Sequence, residues 1–211
     1  MIKNLVFDYG GVVINVDKRL IKQAFLDLKV SWLRQILHRK TIRHMMDEFI
    51  CGLRPTDELI REAHQLCANG VPLEKFYEVV MLLTGDISVD RLEILKRLRT
   101  HYKVYLLSNI NDVLWQTSVR QLKEAGYEVE DCFDDVFLSF ELKTAKPDPG
   151  IYEHLIQATG LSPAETLYFD DKKENIKAGR HAGFLSSYVK PNHIEDNRDY
   201  KALLAGLKKN N

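Results

Sequence analysis

The feature that most constrains this 211-residue chain is a series of short runs, apolar at nearly every position, separated by stretches with helical periodicity. Ile2 to Phe7, Tyr102 to Leu107, Val136 to Phe140 and Thr166 to Phe169 read as strands, with a fifth candidate at Phe184 to Val189. Strands without polar alternation suit burial on both faces, the environment of a parallel sheet covered by helices. Helical patterns lie between the later runs, at Val89 to Arg99, Val113 to Ala125, Pro149 to Thr159 and Lys173 to Ala182. Strand and helix thus alternate from about residue 87 onward, which predicts a doubly wound α/β core.

The stretch from Val16 to Thr84 breaks the alternation. Segments such as IKQAFLDL, WLRQILHR, DELIREAHQLC and LEKFYEVVMLL are helical in period, and no strand is evident among them. The chain is therefore expected to leave the sheet after its first strand, build a helical domain over residues 16–86, and return, so that residues 1–15 and 87–211 form the core. The tail carries one more helical pattern, DYKALLAGL.

Composition narrows the function classes. Thirty basic residues balance thirty acidic ones, so no broad field of one sign is available to hold nucleic acid or an anionic membrane. An anionic ligand would have to be held locally. Cys51, Cys67 and Cys132 are widely spaced, without CxxC pairing or a histidine cluster at zinc-ligand spacing, and read as thiols in a reducing compartment. The opening MIKNLVFDYG is too short an apolar stretch for a secretory signal, and no segment approaches the roughly 20 apolar residues of a membrane span. A soluble cytoplasmic protein is expected; oligomeric state is not legible.

Three of the strands end in small polar or acidic residues. Asp8 follows the first, Ser108 and Asn109 end YKVYLL, and Asp170 and Asp171 end TLYF. Any one of these reads as turn chemistry. In a parallel sheet, however, the carboxyl ends converge on one edge, where open α/β sheets bind ligands. Lys146, in ELKTAKPDPG, lies a few residues beyond another strand, and Pro147 and Pro149 restrict its loop. Carboxylates without Cys or His suit a hard cation, with Mg²⁺ the usual choice where phosphate shares the coordination. Ser108, the following backbone N–H and Lys146 would supply donors to phosphoryl oxygens, leaving Asp8 as a candidate nucleophile.

The segments FDYGGVV, LLSN, AKPDPGIY and FDDKKENIKAG resemble, in order, the four motifs of the haloacid-dehalogenase-like hydrolases. The resemblance spans most of the chain and implies a Rossmann-like core with a helical cap over the site. It implies that Asp8 is nucleophile and metal ligand, that the Gly10 carbonyl and Asp171 are further ligands, and that Asp170 joins or flanks them with Lys172 and Asn175. It makes Ser108 and Asn109 phosphate contacts and Lys146 the cation that offsets charge at Asp8. The implied reaction is magnesium-dependent hydrolysis of a small phosphate ester.

One position departs from the pattern. Phosphatases of this family commonly place a second aspartate two residues after the nucleophile as general acid and base, and here that position is Gly10. Proton transfer of this kind is worth about 10²–10⁴ in rate. A branch resembling glucose-1-phosphate phosphatases has a similar D-x-G-x-V pattern, which suggests a leaving group that needs less protonation, such as an anomeric sugar oxygen. A donor from the cap is the other remedy, with Asp17, His38, His44 and His64 as candidates. Arg43, Glu48 and Arg54 are candidates for substrate selection, whereas Trp32, Phe49, Phe76 and Tyr77 fit helix packing. The rival readings are a metal-free dehalogenase, a phosphomutase, and a phosphate-binding regulatory module.

Overall fold

The computed structural model describes residues 1–28, 38–67 and 70–207. Its centre is a five-stranded sheet in the order β5-β4-β1-β6-β7, built from β1 (Asn4–Phe7), β4 (Lys103–Ser108), β5 (Asp135–Leu138), β6 (Thr166–Asp170) and β7 (Leu185–Tyr188). Every pairing in it is parallel. Successive side chains of a strand face opposite sides. Leu5, Phe7, Leu106 and Phe169 accordingly pack into one apolar layer, while Val6, Tyr105, Leu107 and Tyr168 pack into another with Ile151, Tyr152 and Leu155. Burial on both faces accounts for the non-alternating runs.

Helices form the crossovers: α5 (Val89–Leu98), α6 (Asp112–Glu124), α7 (Val129–Cys132), α9 (Pro149–Thr159) and α10 (Lys173–His181), with α11 (Arg198–Leu207) last. Asn111 caps α6 by accepting from the Leu114 N–H, and Asp148 caps α9 ahead of Pro149 at its first turn. Between β1 and α5 lie α1 (Lys18–Asp27), α2 (Arg39–Cys51), α3 (Thr56–Cys67) and α4 (Leu73–Met81), which make up the helical cap. Most of the expected helix WLRQILHR, with Trp32, lies outside the described residues, as does the Cys67 side chain. Cys51 is half-buried and Cys132 buried, both as free thiols.

Where the chain leaves the core and returns, β2 (Ile14–Asn15) pairs antiparallel with β3 (Asp86–Ile87). Two residues per strand are too few to show a sequence period. Gly85 beside them is obligatory: its φ is +64°, and a Cβ there would sit 2.3 Å from the Asn15 carbonyl oxygen. Three expected strands are shorter than their apolar runs: Ile2 to Phe7 forms only Asn4–Phe7, Phe184 to Val189 forms only Leu185–Tyr188, and the third gives way to a helix. Val136 to Phe140 pairs only as far as Leu138, opposite Ser108 where β4 ends, and α8 (Ser139–Leu142) takes over. The Ser139 hydroxyl there accepts from the Ile110 N–H and reaches the Ile50 carbonyl, tying cap to core. No described helix is long and apolar enough to cross a membrane.

Candidate active site

Phe7 is in register with both Leu106 and Phe169, so Asp8, Ser108 and Asp170 follow one another across the carboxyl edge of three adjacent strands. Lys146 is buried among them. Its Nζ donates to Asp8 Oδ1 at 2.8 Å, Asp170 Oδ2 at 2.8 Å and the Leu107 carbonyl at 2.6 Å. Asn109 clamps the Lys146 backbone, accepting from its N–H at 2.8 Å and donating to its carbonyl at 2.7 Å. The following Lys146–Pro147 peptide is cis. A lysine in a charged loop is thus fixed 138 residues away in sequence from its carboxylate.

The three charges do not share their environment equally. Burial pushes the Asp8 carboxyl up and Lys146 pulls it down, but Asp170 and Asp171 add to the effect of burial, leaving it at about 6. Burial also opposes ionisation of Asp170, yet Lys146, the Tyr168 hydroxyl and the Lys172 N–H outweigh it and hold that carboxyl below its usual value. Burial works against the Lys146 ammonium, and Asp170 and Asp8 together raise it above the ordinary lysine range.

Asp170 and Asp171 have different occupations. Asp170 Oδ1 accepts from the Lys172 N–H at 2.8 Å and Asn175 Nδ2 at 3.0 Å, while Oδ2 accepts from Lys146, Tyr168 and Asn175. Among the described residues, Asp171 Oδ1 is buried with no hydrogen-bond partner, and Oδ2 meets only Lys18 Nζ, at 3.2 Å. An unpaired buried carboxylate oxygen is costly unless a cation or donor meets it. One oxygen from each of Asp8, Asp170 and Asp171 lies within 4.8 Å of the others. This all-oxygen donor set fits a hard divalent cation, with Asp171 the group best free to bind it.

The loop after Asp8 carries Gly10 and Gly11. The Tyr9 carbonyl accepts from the N–H groups of Val12, Val13 and Ile14, and Gly11 adopts φ +82°. A Cβ on Gly11 would sit 2.8 Å from Asp171 Oδ2, so glycine is needed for both conformation and proximity. At Gly10 a Cβ would meet nothing nearer than Val16 Cγ2 at 3.5 Å. Steric crowding therefore does not explain the missing acid.

Outside the motifs, several residues support this loop. The Asn192 N–H donates to the Gly11 carbonyl at 2.7 Å, and its side chain bonds the Val16 N–H and carbonyl. Arg91 donates to the Val12 carbonyl at 3.2 Å, the Asn192 carbonyl at 2.8 Å and the Glu195 carboxylate. Sequence reasoning missed Arg91, Asn192, Tyr168 and Lys18. Only Asn192 offered a signal, since Pro-Asn marks a turn and asparagine tolerates the left-handed φ of 66° it adopts.

The cap candidates are largely engaged within the cap. Asp17 caps α1, accepting from the N–H groups of Arg19 and Leu20. Arg54 bridges Glu48 at 3.4 Å and Glu62 at 3.0 Å, and His44 lies 3.7 Å from Glu48. His64 bonds the Val71 carbonyl and packs edge-on against Phe76. His38 precedes α2, and Arg43 lies within it. Phe49 and Phe76 are core residues, and Tyr77 packs against them part-buried.

Comparison with known proteins matches residues 2–183 to the haloacid dehalogenase-like hydrolase family model. The chain is 31% identical over 186 residues to a D-ribitol-5-phosphate phosphatase of Bacteroides thetaiotaomicron, covering 87% of this chain and 90% of that one. It is 29% identical to a sesquiterpene phosphatase of Aspergillus oryzae, covering 89% of each. Among solved structures, a haloacid-dehalogenase-family enzyme of Bacteroides thetaiotaomicron in complex with magnesium and inorganic phosphate superposes with a TM-score of 0.78 at 29% identity, over 90% of this chain and 96% of that one. A predicted hydrolase of Porphyromonas gingivalis, 24% identical, shares the fold with a TM-score of 0.80.

Proposed function

Because the chain belongs to the haloacid dehalogenase-like hydrolase family, we propose that it is a magnesium-dependent phosphatase of small organic phosphates, sugar and polyol phosphates foremost. The observation that carries this reading is the buried group itself: Asp8 held by Lys146 beside Asp171, whose Oδ1 has no partner among the described residues.

In this reading Asp8, the Gly10 carbonyl and Asp171 hold the cation. Asp170, expected to share in ligation, spends its hydrogen bonds on Lys146, Tyr168, Lys172 and Asn175 and so braces the site. When bound, magnesium neutralises charge on the carboxylates and the phosphoryl oxygens. Asp8 Oδ1 accepts from the Tyr9 N–H and from Lys146, which leaves Oδ2 to attack phosphorus. The new bond is Asp8 O–P, the bond broken is P–O to the alcohol, and water then hydrolyses the aspartyl phosphate. Lys146 orients Asp8 and offsets charge through both steps. Ser108 donates its hydroxyl to a phosphoryl oxygen, and Asn109, its side chain committed to the Lys146 backbone, contributes its N–H. With Gly10 unable to transfer a proton, the leaving oxygen is protonated by solvent or needs little protonation.

The test is phosphate release from a panel of pentitol, hexose and aryl phosphates, with and without magnesium. Activity should vanish with chelator and with Asp8→Asn. Turnover that survived both would overturn the mechanism, and metal-free halide release from a haloacid would favour the dehalogenase reading.

A further inference from the structure

Lys18 opens α1, the first helix of the cap, and its ammonium is the only group that meets Asp171 Oδ2 among the described residues. The pair is lopsided: the Lys18 side chain is 63% exposed, whereas that of Asp171 is 1% exposed. The Asp171 carboxylate is buried and short of donors, so it needs a positive partner. Lys18 has no such need, since its ammonium is well hydrated when released. The cap's leading helix is thereby tethered to the core through the same carboxylate that the magnesium reading assigns to the metal.

We propose that Lys18 is an internal counter-cation that competes with the divalent ion for Asp171, so that metal binding exchanges one cation for another at that carboxylate. The proposal rests on the magnesium-site reading above. A two-carboxylate site with the Lys18 ammonium withdrawn to solvent loses little, because a mostly exposed lysine gains only modest free energy from a single ion pair. Removing the competitor should therefore tighten metal binding.

The neighbouring basic residue Arg19 separates competition at Asp171 from a general charge effect. Arg19 follows Lys18 on the same turn, and none of the described ion pairs includes it. Isothermal calorimetry of magnesium binding, without substrate, should show Lys18→Met binding about twofold to fivefold more tightly than wild type. Lys18→Arg should stay near wild type, and Arg19→Met should change affinity by less than about half as much on a logarithmic scale. If wild type bound no magnesium, the metal-site reading itself would fail. If wild type bound magnesium but Lys18→Met bound no more tightly, or no more tightly than Arg19→Met, competition at Asp171 would be wrong while the site reading stood.

Discussion

Replacing Arg91 by methionine separates two explanations of how the loop after Asp8 is held. Arg91 is 5% exposed and serves three carbonyls and one carboxylate. Methionine would keep the packing of the stem but leave two carbonyls without their donors, the buried Val12 at about 2 kcal/mol and the half-buried Asn192 at about 1 kcal/mol, the low end of the range for a lost acceptor partner. The 3.4 Å contact to the Val13 carbonyl is marginal and adds little. Glu195, with its side chain 54% exposed, rehydrates when released, so its loss contributes no more than about 1 kcal/mol. The sum is about 4 kcal/mol, which for a chain of this size lowers the thermal midpoint by roughly 8–16 °C. Urea unfolding followed by circular dichroism gives the free energy, and Glu195→Gln provides the control, with an expected cost near 1 kcal/mol or less. A loss under about 1 kcal/mol for Arg91→Met would refute the carbonyl clasp. Equal losses for the two variants would show instead that the ion pair is what holds the loop.

Two further perturbations address the site and the acid limb of stability. Gly11→Ala places a Cβ 2.8 Å from Asp171 Oδ2 at φ +82°, so it should destabilise the fold by about 1–2 kcal/mol from backbone strain and weaken calorimetric magnesium binding by displacing that carboxylate; unchanged binding would contradict the placement. Asp134 is held below its usual carboxyl value because, against burial, the Val104 N–H and the Lys103 and Arg99 side chains favour its charged form. Its folded pKa being depressed, the unfolded state binds more protons as pH falls, so its contribution is complete above about pH 4 and is lost below it. Asp134→Asn should therefore melt lower than wild type at pH 7, with the gap narrowing toward pH 3; a gap independent of pH would contradict the assignment.

Much of the candidate site's clustering is legible in the sequence. Asp8, Ser108, Asp170 and Asp171 each sit just past a non-alternating run, and the rule that parallel strands share one carboxyl edge is enough to bring them together, with Lys146 arriving from the loop beyond another strand. What could not be read is which oxygens are already satisfied. Asp170 and Asp171 are adjacent and chemically identical, yet one is saturated by Tyr168, Asn175, Lys172 and Lys146 and the other has a bare oxygen. That difference comes from β6 ending between them, which points their side chains to different surroundings.

Local period and residue identity suffice for the parallel core, the run of helices after the first strand and the chemical types gathered at the strand ends. Tertiary structure alone decided the support: Arg91 and Asn192 closing over the Gly11 loop, Asn109 spent on the Lys146 backbone, Ser139 ending β5 and tying cap to core, and Lys18 reaching Asp171. Each of these joins groups distant in the chain through single donors and acceptors. Such bonds leave no periodic trace, since a hydrogen bond depends on where two atoms arrive and not on the pattern that carried them there.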